Sequence, residues 1–114
     1  MDLIKYGEFA KTTKQYPTNL NIVYPTIGLS GEVGEVCEKI KKVYRDKDGI
    51  FTSDTVDDII KELGDCMWYI HAIADDLDRS IDDACKSNYE KLTSRLERNA
   101  IKGNGDNRWN PQTL

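Results

Sequence analysis

Apolar residues recur along this chain at spacings of three and four, and they never alternate with polar ones long enough to mark a strand. That period predicts a first helix over residues 2 to about 15, with Leu3, Ile4, Phe9 and Ala10 at workable spacing. Pro17 disfavours the helical region for Tyr16 and ends it. Residues 17 to 24 form a connector. The second helix begins near Pro25, a residue tolerated in a first turn, and runs to about Arg45. Ile27, Val33, Val36, Ile40, Val43 and Tyr44 are its apolar set. Asp46-Lys47-Asp48-Gly49 reads as a turn. Ser53 or Asp54 caps the third helix, with Asp57 and Asp58 favourable in its first turn. That helix continues to about Asp78, and a fourth, capped by Ser80, runs to about Asn99. The expected fold is all-α, a four-to-five-helix bundle, with a flexible polar tail over residues 100 to 114.

Two features depart from a simple bundle. Met67 to Ala74 is apolar nearly all round, and such a helix is buried on more than one side. This points to a subunit interface through Trp68, Ile70 or Ile73, and so to a homo-oligomer. Gly28, Gly31 and Gly34 lie inside the second helix, where each costs roughly 1 kcal/mol relative to Ala. Small residues at that spacing admit either a packed helix or a ligand, and glycine alone does not separate the two.

The chemistry lies in two acidic pairs set among apolar residues. Glu32 and Glu35 are three residues apart, as are Glu62 and Asp65, so each pair shares a helix face. If the second and third helices form an antiparallel hairpin, residue numbers at one level sum to about 100, within an error of about one turn. Glu35 then falls level with Asp65 and Glu38 with Glu62, while Glu32 lies near the level of Trp68. Unit charges about 4 Å apart repel by roughly 4 kcal/mol near a protein surface, so a cation is expected between the pairs. Hard oxygen ligands of this kind suit Mg²⁺ or Mn²⁺.

Length and charge narrow the setting. With 114 residues the chain is expected to be one domain over 1–114. A net charge of −4 argues against non-specific binding of nucleic acid. No apolar run reaches the ~18 residues of a membrane span, and no signal-peptide core opens the chain. Three cysteines, Cys37, Cys66 and Cys85, lack CxxC spacing. Reduced thiols in a cytoplasmic protein are the simplest reading, with Cys37 and Cys66 buried. The acidic turn lacks the later ligand positions of an EF-hand loop. His71, the single histidine, reads as a packed structural group.

The runs Gly28-Leu29-Ser30-Gly31-Glu32-Val33-Gly34-Glu35 and Glu62-Leu63-Gly64-Asp65-Cys66-Met67-Trp68-Tyr69 resemble the MazG-like family of all-α nucleoside triphosphate pyrophosphohydrolases. The resemblance covers about residues 20 to 108. It implies a dimer or a dimer of dimers, and Mg²⁺-dependent cleavage of a nucleoside triphosphate to a monophosphate and pyrophosphate. It makes Glu32, Glu35, Glu62 and Asp65 the metal ligands and places Tyr69 near the base. Glu38 is either a further ligand or general base, or an exposed acid paired with Lys41 or Lys42. Glu35 is the other candidate base. Asn88, Lys91 and Arg95 share one face of the fourth helix and resemble the family's later, less specific motif. A Lys and an Arg there suit the remaining phosphate charge, and Lys102 and Arg108 continue it as a lid. The competing readings are a non-catalytic dimerising module, or a hydrolase of nucleoside diphosphates or an alarmone.

Overall fold

A computed structural model describes residues 1–98. Among the described residues the chain is all-α: α1 (Leu3–Lys11), α2 (Val23–Asp46), α3 (Ser53–Asp76) and α4 (Ile81–Glu97), with one 3-10 turn at Thr18–Leu20. The long helices α2 and α3 lie against each other as an antiparallel pair, and α1 packs on α3. Met1–Ile81 form one compact unit, and α4 from Asp82 onward belongs to a second. None of the described helices is long and apolar enough to cross a membrane.

The element ends follow from local hydrogen bonds. α1 stops at Lys11, short of residue 15, because the hydroxyls of Thr12 and Thr13 bond back to the carbonyls of Phe9 and Ala10, each at 2.7 Å. α2 starts at Val23, which puts Pro25 third in the helix, where its missing N–H is one that no carbonyl would have met. The cap of α3 is Thr52, one residue before the expected pair, and its Oγ1 accepts from the Thr55 N–H at 3.3 Å. α2 ends in a turn where the Val43 carbonyl accepts from both Lys47 and Gly49, and Gly49 takes the left-handed φ of 75°.

α1 changes the reading of the apolar half of α3. Gly7 lies over His71, close enough that a Cβ there would touch the ring at 3.4 Å, and the Tyr6 ring meets it edge-on at 6.3 Å. His71 and Ala72 are buried, and the rest of 67–74 is half-buried. Burial pushes the His71 imidazole below its ordinary value, as suits a packed group. α1 therefore covers part of the apolar surface expected here, within the chain itself. Bare apolar side chains lie elsewhere: Ile27 on α2, and Val56, Ile60 and Leu63 on α3. Gly31, Gly34 and Gly64 share those two stripes by helical spacing, and a Cβ on any of them would meet nothing within 4 Å.

Candidate active site

Glu32 on α2 and Glu62 and Asp65 on α3 point at one another. One oxygen from each lies within 4.8 Å of the others; Glu32 and Glu62 are half-buried and Asp65 is exposed. The Glu32 and Glu62 carboxyls approach closely enough to share a hydrogen bond whenever one of them carries a proton. Burial, that bond, and the charges of Asp65, Glu62 and Glu35 push the Glu32 carboxyl above its ordinary value. Lys39 Nζ stands 3.7 Å from Glu62 Oε1, one positive charge against several negative ones. An all-oxygen donor set with this excess of charge fits a hard divalent cation.

The fourth acid stands off. Three residues of helix turn a side chain by roughly 60°, and Glu35 is exposed, acting on Glu32 through its charge. The hairpin levels hold to within a turn: Glu32, rather than Glu35, meets Asp65, and Lys39, one residue from Glu38, meets Glu62. Glu38 pairs with Lys41 at 2.8 Å and Lys42 at 3.7 Å, with 42% of its side chain exposed. The Lys41 contact holds its carboxyl below the ordinary range.

Tyr69 leans on the backbone of α2. A Cβ on Gly28 would sit 2.2 Å from its ring, so this glycine serves close packing while Gly31 and Gly34 face open space. Beside Tyr69 opens a cavity of about 280 Å³ lined by Thr13, Tyr16, Pro17, Tyr24, Trp68 and Tyr69. Tyr16 and Tyr24 stack with centroids 4.8 Å apart, and Trp68 meets Tyr69 edge-on at 5.1 Å. Trp68 Nε1 donates to Thr13 Oγ1 at 2.7 Å. The charges of Glu32 and Asp65 reach the Tyr69 hydroxyl and, after burial and Tyr24, help push it up. The apolar period gives no sign of the connector's share of this cavity; Tyr16 and Pro17, a tyrosine and a proline outside that period, are the available mark.

Cys66 is buried beside the acids, and burial first, then the charges of Glu32, Asp65 and Glu62, push its thiol up. Cys37 is exposed, not buried: it faces away from the side of α2 that carries Gly28, Glu32 and Lys39. On α4, Asn88 is exposed, Lys91 half-buried and Arg95 buried. Lys102 and Arg108 lie outside the described residues.

A family model for the MazG nucleotide pyrophosphohydrolase domain matches residues 26–99. The chain is also 48% identical over 85 residues to the "Gene 37 protein" of Mycobacterium phage L5, an alignment covering 75% of each. No solved structure matches the chain significantly.

Proposed function

The chain belongs to the MazG nucleotide pyrophosphohydrolase family, and from that membership we propose that it hydrolyses nucleoside or deoxynucleoside triphosphates, with Mg²⁺, to the monophosphate and pyrophosphate. The observation that carries this reading is the meeting of Glu32, Glu62 and Asp65 beside an aromatic cavity. Glu32 follows Gly28 by four residues and Tyr69 follows Asp65 by four, so acids and cavity are offset by about 6 Å along both helices. A nucleotide has its phosphates and base at its two ends and fits such a pair of neighbouring subsites.

In this reading Glu32, Glu62 and Asp65 hold the cation. Mg²⁺, with Mn²⁺ as substitute, supplies charge neutralisation at the phosphates and a more acidic water. Glu35, exposed beside the three, completes the ligand set or takes the proton of the attacking water. Glu38 is the poorer base, because its lysine partners favour its charged form. Tyr69 and Trp68 offer faces to the base. Asn88, Lys91 and Arg95, with Lys102 and Arg108, are phosphate contacts on the strength of their motif and charge.

A second copy of the chain is the proposed cover for the bare stripes, which pair Ile27 with Gly31 and Gly34 on α2, and Ile60 with Gly64 on α3. Glycines without neighbours permit close backbone approach. A cytoplasmic site of action follows from the substrate class. The test is product analysis on a panel of NTPs and dNTPs. Equimolar monophosphate and pyrophosphate are expected with Mg²⁺, and Glu35→Gln should cut kcat severely. Absence of pyrophosphate from every nucleotide, with Mg²⁺ and with Mn²⁺, overturns the reading.

A further inference from the structure

The connector between α1 and α2 has one 3-10 turn and no other regular structure, yet it supplies Tyr16 and Pro17 to the aromatic cavity. What fixes it is a carboxylate at the far end of α3. Asp76 is the last residue of that helix, and its side chain is 0% exposed. Its Oδ2 accepts from the Tyr16 hydroxyl at 2.8 Å and from the Ile22 N–H at 2.7 Å. Its Oδ1 pairs with Lys14. A buried carboxylate is tolerated only when so satisfied.

The Ile22 bond explains an oddity of the backbone. Ile22 has φ 70° and ψ −53°, a region that a β-branched residue enters only when its surroundings force it. The chain turns there into α2, and Tyr24 follows two residues later. One carboxylate thus holds both members of the Tyr16–Tyr24 stack, the first by its hydroxyl and the second through the turn before it. Asp76 lies eleven residues beyond Asp65, about 16 Å along the helix, and is no part of the acid cluster. The residues it holds precede the span matched by the family model.

We propose that Asp76 is a positioning residue for the nucleoside end of the site: by holding the Tyr16–Tyr24 stack it sets how tightly the base is bound, and it takes no part in the phosphate chemistry. The inference rests on the reading that the cavity takes the base.

The experiment uses the full chain carrying Trp109→Phe, so that Trp68 is the sole indole. Free nucleosides and deoxynucleosides, without metal, are titrated by Trp68 fluorescence, and KM and kcat are measured on the triphosphate that turns over best. Asp76→Ala should weaken nucleoside binding and raise KM about tenfold, with kcat changed about twofold or less, the mark of lost uniform binding. Asp76→Asn keeps an acceptor for Tyr16 and Ile22 and loses only the Lys14 pair, so it should recover most of the loss. Tyr16→Phe breaks one contact and keeps the ring; it should raise KM about threefold and decides the matter if Asp76→Ala does not fold. Unchanged KM in Tyr16→Phe and in any folded Asp76→Ala overturns the proposal, as does a fall in kcat alone, or Asn as poor as Ala. Wild-type turnover without any nucleoside effect on Trp68 overturns it while leaving the hydrolase standing. Nucleoside binding that weakens in these variants, with no pyrophosphate from any nucleotide, supports Asp76 and removes the hydrolase.

Discussion

In the metal-free protein the Glu32 carboxyl binds its proton more tightly than in the unfolded chain. A group shifted this way weakens the fold above its raised value, and the penalty fades as the pH falls toward the ordinary 4.5. Asp75 and Asp76 act in the opposite sense. Burial works against their charge, but Lys14 on Asp75, and Ile22 N–H, Lys14 and Tyr16 on Asp76, outweigh it and hold both below the ordinary 3.8. Their contribution is full above that value and is lost as the pH drops through their folded values. The metal-free Tm should therefore rise as the pH falls toward 4.5 and fall again once it drops below 3.8. Saturating Mg²⁺ should remove the first arm, and Glu62→Gln with Asp65→Asn should remove both that arm and the response to Mg²⁺. Calorimetric melts over this range give the answer; a Tm that only falls on acidification contradicts the placement of Glu32.

At the scale of elements, the two long helices are readable and the conformation of the connector is not. The start of α3 was legible to within one residue because a hydroxyl cap and an apolar period agree there. α1 is shorter than its apolar period predicts because its threonine hydroxyls compete for carbonyls without leaving a mark in that pattern. The backbone of Ile22 is set by a carboxylate 54 residues away, which no local rule reaches. For the same reason three of the four acids were found to converge and the fourth was not. Spacing gives a shared face, but the angle between two packed helices decides which oxygen meets which. The glycines of α2 divide likewise. Gly28→Ala should destabilise the protein by about 1–3 kcal/mol, because the Tyr69 ring must move. Gly31→Ala should stabilise an isolated protomer by roughly 0.5–1 kcal/mol through helix propensity alone. Chemical denaturation of both variants, compared below any association midpoint, distinguishes a packing glycine from a bare one.

For the whole molecule, the barest apolar side chains of α2 and α3 lie on other stripes than the 67–74 segment that the sequence singles out. Residues 67–74 are largely covered by α1 and the connector, and the exposed apolar stripes run along Ile27 and Ile60. Assembly through those stripes makes a sharp expectation. Ile27→Lys with Ile60→Lys should dissociate the oligomer in light scattering without lowering the helix content of the protomer. Trp68→Phe, whose indole nitrogen is engaged by Thr13, should leave the assembly intact. An oligomer that survives the lysines, or a wild-type monomer at micromolar concentration, rules the interface out.

Cys66 lends the site a clock. Its thiol lies under the acids, shielded from solvent and held in the unreactive protonated form. Cys37 and Cys85 are exposed and should be alkylated at once. The third thiol then waits for α2 and α3 to part, so its slow modification counts openings of the hairpin at the level of the carboxylates. A cation that ties Glu32 to Glu62 and Asp65 ties the two helices together as well. Mg²⁺ should stretch that waiting time, and mass spectrometry of alkylated Cys66 would read the breathing of the site directly, with no nucleotide present.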